Sequence, residues 1–68
     1  MERESVKSSN IRSVGYEEES QVLEVEFISG AVYRYKNVPK KTWNEFKTAS
    51  SKGGFFAKNI KRQFAFER

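Results

Sequence analysis

Sixty-eight residues, with thirteen Lys and Arg against nine Glu, no Asp, no Cys and no His, carry a formal net charge of +4. They make one domain, residues 1–68, that buries only about 60% of the surface its unfolded chain exposes. Without Cys and His there is no disulfide framework, no soft metal site and no usual nucleophile–base pair, and no apolar run approaches the roughly 18 residues of a membrane span or the core of a signal peptide.

A reducing cytoplasmic setting, in a bacterial cell or in a host cell if the gene is phage-borne, follows as the expectation. Catalysis is the weakest functional class, because acid–base work would need a carboxylate or Lys with a shifted pKa in a cleft. The Glu residues instead fall on wet strand faces, turns and termini, with Glu45 the least unfavourable. No enzyme activity, cofactor or metal is expected. The charge is uneven: residues 1–30 hold three cations against seven Glu, and residues 31–68 hold ten against two. A basic second half suits an anionic partner such as a phosphate group.

In chain order, "SSN" (Ser8 to Asn10) offers short hydrogen-bonding side chains, for which turn chemistry favours a turn starting the strand over a ligand contact. "IRSVGY" predicts a short strand, Ile11 to Tyr16, and "EEES" a solvated turn. "QVLEVEF" alternates Leu23, Val25 and Phe27 with Glu24 and Glu26, the pattern of a strand with one buried face. "AVYRYK" alternates as well, and loop length decides whether Tyr33 and Tyr35 join the core or form an exposed platform for bases. A two-residue loop would set Arg34 and Lys36 beside Leu23 and Val25, burying charge. A three-residue loop ending at Gly30 in a left-handed conformation pairs Phe27 with Ala31, Val25 with Tyr33 and Leu23 with Tyr35. It also sets Glu24 against Arg34 on the wet face. The second register is the one expected.

Pro39 opens a helix of about three turns, with Trp43, Phe46 and Ala49 as its core stripe. "SSKGG" is read as its stop, two glycines supplying a cap and a flexible corner. A second helix is expected from about Gly54 to Gln63, burying Phe56 and Ile60 and presenting Lys58, Lys61 and Arg62 on another face. "FAFE" alternates again, so Phe64 and Phe66 clasp the sheet or a neighbouring chain. The fold class is α+β: a three-stranded antiparallel meander, two short helices and a short C-terminal extended segment.

The segments "SSNIRSVGY", "LEVEF", "YRY", "VP", "SSKGGFFAKNI" and "QFAF" resemble the KTSC domain, named for the lysyl-tRNA synthetase C-terminal region, from about Val6 to Phe66. Its marker is the central Tyr-x-Tyr, here Tyr33 and Tyr35. Phe64 and Phe66 stand where the family usually has Tyr. The resemblance implies a small α+β domain found fused to a tRNA synthetase and free-standing in bacteria or phages. Through the fusion it implies RNA binding.

Size, isolation and the lack of catalytic groups point to binding without turnover of a phosphate-bearing nucleotide. In a phage such a protein would be a sponge for a cyclic-nucleotide or ADP-ribose-type immune signal. Phosphates are expected near Lys58, Asn59 and Arg62, with the base or ribose meeting Ser9, Asn10, Arg12 and the hydroxyl tip of Tyr35. An RNA- or tRNA-binding module and a protein-interaction module are the alternatives. A homodimer is expected by default, burying Phe64 and Phe66.

Overall fold

The computed structural model describes residues 3–68. Its strands are β1 (Glu4–Ser5), β2 (Ile11–Glu17), β3 (Val22–Phe27), β4 (Val32–Tyr35) and β5 (Phe66–Glu67), and its helices α1 (Lys40–Thr48) and α2 (Lys52–Asn59) lie between β4 and β5. The strands form one antiparallel sheet in chain order. The expected three-stranded meander therefore gains a strand on each edge. β1 is too short to announce itself by alternation, and the extended C-terminal segment pairs with β4, setting Phe66 against Tyr35. No helix among the described residues is long and apolar enough to cross a membrane.

The three-residue loop sets the register as expected: Leu23 faces Tyr35, Glu24 faces Arg34 and Val25 faces Tyr33. Gly30, at φ +98°, closes the loop, where a side chain would be strained. The Phe27 N–H bonds to the Ala31 carbonyl at 2.8 Å and the Gly30 N–H to the Phe27 carbonyl at 2.9 Å. The register of β2 shifts between Ile11 and Ser13, so that Arg12 is the extra residue of a bulge. Ile11 and Val14 are three apart and would otherwise point to opposite faces; with the bulge both are buried on the core face.

The core joins Ile11, Val14, Leu23, Val25 and Tyr35 of the sheet to Val38, Trp43, Phe46, Phe56 and Ile60. In α1 Trp43 and Phe46 are buried as the spacing requires, with Ala49 just past the helix end. Pro39 is the residue before the first turn rather than within it. Tyr16 stacks on Trp43, ring centroids 5.4 Å apart, and its hydroxyl donates to the Val38 carbonyl at 2.6 Å. On the opposite face Glu24 is only 8% exposed, so the carboxylate of the pair placed there is buried while the Arg34 side chain stays 59% exposed. Arg34 Nε reaches Glu24 Oε2 at 3.0 Å and Arg3 reaches Oε1 at 3.1 Å. Gly15, opposite Glu24 in β2, puts no side chain between Arg3 and that carboxylate.

The helix assignments require two corrections. "SSKGG" does not stop α1, which ends at Thr48 without a glycine; Gly53 and Gly54 lie in the first turn of α2. The reason is Ser51, whose Oγ accepts the Gly54 N–H at 3.2 Å and caps the helix. At its other end α2 stops at Asn59, with Ile60 at φ −122°, so Lys61 and Arg62 belong to a turn and do not share a helical face with Lys58.

Two predictions follow from the packing. Tyr35 is 2% exposed, so Tyr35→Ala should cost about 3–5 kcal/mol in urea unfolding. Tyr33 is only partly buried, and Tyr33→Ala should cost less, about 1–2 kcal/mol; equal losses would contradict this division. The second concerns pH. Burial raises the phenol of Tyr16, aided by Glu18 and opposed by Lys40, and burial raises that of Tyr35, aided by Tyr33; the ordinary value of both is 10.0. The hydrogen bond to Glu18 raises exposed Lys40 as well. Each group holds its proton more tightly in the folded state, so its contribution is full below the unfolded value and is lost as pH rises through the folded one. Stability should be level from about pH 7 to pH 9 and fall above about pH 10. The fall should be shallower in Tyr16→Phe, which also gives up about 1 kcal/mol at neutral pH with its hydrogen bond.

Candidate functional site

The loop between β1 and β2 and the segment opening α2 meet, although some forty positions separate them in sequence. Ser8 Oγ accepts the N–H groups of Asn10 at 3.3 Å and Ile11 at 3.4 Å, a turn that starts β2. Gly53 sits against this turn: a Cβ there would lie 3.4 Å from Ser8 Oγ and 4.0 Å from the amide nitrogen of Asn10. Between the two segments is a depression of about 320 Å³ that Lys7, Ser9, Ser50, Ser51, Lys52 and Gly54 complete.

The lining is rich in donors. Of the N–H groups that open α2, that of Gly54 is taken by Ser51, while Lys52 and Gly53 have no carbonyl within the helix to bond. The first turn of α2 contains no acidic residue, so the positive end of the helix is not neutralised from within. Lys52 Nζ is anchored on the Ala49 carbonyl at 2.6 Å, and among the described residues Lys7 makes no salt bridge. By contrast, the depression over the opposite face of the sheet carries three carboxylates, Glu17, Glu24 and Glu67, beside Arg34 and Lys36.

The residues expected from sequence to bind a ligand do not form one site. Ser9 and Asn10 line the depression, and Ser9 Oγ donates to Asn10 Oδ1 at 2.8 Å. Arg12 is exposed in the bulge and reaches the Ile28 carbonyl at 3.4 Å. Lys58 and Asn59 are exposed at the far end of α2, where Asn59 Nδ2 donates to the Phe55 carbonyl at 3.3 Å, and Arg62 lies in the turn beyond. Tyr35, packed against Phe56 and Phe66 at 5.4 Å, has almost no surface to give a ligand. Ser50, Ser51, Lys52, Gly53 and Gly54 are hidden in the sequence because "SSKGG" reads as a helix stop, and Lys7 carries no local pattern that sets it apart. The signal against that reading was a Ser followed within one turn by Phe55, Phe56 and then Ile60 at helical spacing.

The KTSC domain model matches residues 7–64. The fold superposes on the crystal structure of a KTSC domain protein from Yersinia pestis with a TM-score of 0.95 at 37% identity, covering 98% of this chain and 94% of that one. A protein of Stutzerimonas stutzeri is 46% identical over 63 residues, 93% of this chain and 89% of its own length. The lysine–tRNA ligase of Nostoc punctiforme is 42% identical over 62 residues, 91% of this chain, which spans only 11% of that enzyme.

Because one hydroxyl caps α2 and shapes the depression, Ser51→Ala should lower stability by about 1 kcal/mol, and Ser51→Asp should restore it. Thermal unfolding of the two variants checks this; an unchanged Ser51→Ala protein would show that the cap is idle.

Proposed function

The chain belongs to the KTSC domain family, and from that premise we propose that it binds, and does not turn over, a phosphate-bearing nucleotide whose phosphate occupies the depression between Lys7–Asn10 and Ser50–Gly54. The observation that carries this reading is the composition of that lining: two lysines, four serines, an asparagine and two glycines at a helix start, with no carboxylate. Such a set offers donors to an anion and nothing that would activate water or a leaving group. Lys58 and Arg62, the cations singled out in sequence, stand outside it. A domain of this size that holds a nucleotide without changing it would act by sequestration, as a sponge for a cyclic-nucleotide or ADP-ribose-type signal.

A second reading, a single-stranded RNA module, has its own support. The lysine–tRNA ligase relative carries this domain as a small part of its length. The depression also opens through Lys7, Ser50 and Lys52 onto a groove that Lys47, Val6 and Glu4 line, where a longer backbone would find a third cation.

Calorimetric titration of the full chain with cyclic dinucleotides, ADP-ribose and short oligoribonucleotides at two salt concentrations separates the readings. A small nucleotide should bind with a shallow salt dependence and be recovered unaltered. RNA should bind more tightly with length and lose affinity steeply with salt. In either case Lys7→Glu should weaken binding about tenfold or more, whereas Lys58→Ala with Arg62→Ala should not. The reverse pattern would move the site to the far end of α2, and chemically altered ligand would reinstate an enzyme.

A further inference from the structure

Resting on that reading, we propose that a second, apolar depression, lined by Phe27, Ile28, Ala31 and Tyr33, receives the nucleobase of the ligand whose phosphate lies against α2. Asn10 is a wall of both depressions and joins them.

The surface is built for a planar ring. Tyr33 and Tyr35 alternate on the core side of β4 with Ala31 two positions before them, just outside the strand, and the two tyrosine rings lie 6.3 Å apart and within 17° of parallel. Ala31 is next in the row but too small to continue it. Phe56 covers Tyr35 and Phe27, at 5.4 and 5.5 Å, but the hairpin end extends past its reach, and there Ile28 is 47% exposed. A base laid over Ala31 beside Tyr33 extends the row and covers apolar surface that the fold leaves open.

The polar elements also match. The Ile28 N–H bonds to the Asn10 carbonyl at 2.8 Å, so the hairpin tip and Asn10 are held together by backbone. With Oδ1 engaged by Ser9, the amide nitrogen of Asn10 is the group left to donate to a ring nitrogen or a ribose hydroxyl. Arg12, at the Ile28 carbonyl, brings positive charge to one edge of the surface, and the Arg68 guanidinium lies over the Tyr33 ring at 5.1 Å, beside Phe66 at 5.0 Å, so a base meets Tyr33 on the Ala31 side. An inorganic anion would use the polar depression and leave the apolar one bare. An apolar peptide would cover the second and waste the cations of the first. A nucleoside phosphate uses both.

The test compares ligands with and without a base on the isotope-labelled full chain by amide NMR. Adenosine monophosphate, uridine monophosphate and ribose 5-phosphate should all move the amides of Ser8 and Ser51 to Gly54. The two nucleotides alone should also move Ile28, Ala31, Tyr33 and the side-chain amide of Asn10. They should bind about tenfold or more tightly than the sugar phosphate, and Ile28→Glu, at an exposed loop position, should abolish that advantage while sparing ribose 5-phosphate. Nucleotide shifts confined to Ser8 and α2, with equal affinities for all three ligands, would overturn the base site and leave the phosphate reading standing. No response at Ser8 and α2 to any of the three would remove both.

Discussion

Gly30, turning at φ +98°, is where the architecture is decided, because a loop one residue shorter would exchange the two faces of β4. Arg34 and Lys36 would then lie beside Leu23 and Val25, and no pair of short helices could cover them. With the observed register, Tyr35 falls beneath Phe56, Tyr33 comes half under cover and Ala31 reaches the open end of the row. The side chains that make the core and those proposed to meet a ligand thus depend on one backbone conformation. Substitutions at Gly30 act on stability and on the apolar depression together.

The same register organises the face that the helices leave bare. Glu24 meets Arg34 across the strands, and Gly15, lacking a side chain, admits Arg3, the residue before β1, to the other carboxylate oxygen. Beside it Ser13 Oγ donates to Glu26 at 2.9 Å. A carboxylate nearly removed from water is tolerated because both oxygens have guanidinium partners. This arrangement ties the two-residue edge strand β1 to the middle of the sheet. A small domain with helices on one side only gains order on the other through paired charge rather than through a second apolar layer.

How much of this is legible in the sequence depends on the range of the interaction involved. Alternation and a loop glycine are local signals, so the β3–β4 pairing can be derived residue by residue. The bulge at Arg12 is half legible: the odd spacing of Ile11 and Val14 is visible, but only pairing with β3 shows why it is needed. β1 and β5 are two residues each, and they become strands through ladder bonds to distant partners. "SSKGG" offers both a glycine stop and a serine cap, and local propensity favours the stop; the burial of Phe56 and Ile60 decides for the cap. The site is the least legible part, because its two walls lie some forty residues apart and meet only after the sheet and helices have formed. Lys58 and Arg62 would share a face only on a helix one turn longer than the one that packs, which ends at Asn59.

The walls of the polar depression also remove an apparent choice between structural and functional readings of its serines. Ser8 and Ser51 each place an oxygen on backbone N–H groups of their own chain segment, one to start β2 and one to start α2. Both serines also line the depression, with Lys7, Asn10 and Lys52 beside them. Since the chain has no His, Cys or Asp, and since none of the described Glu residues lines this depression, the groups gathered there are mostly donors or cations. Such a wall offers donors to the oxygens of an anion, the ligand class proposed for it. The turns that let so short a chain close its core are therefore the same turns that line the proposed phosphate site.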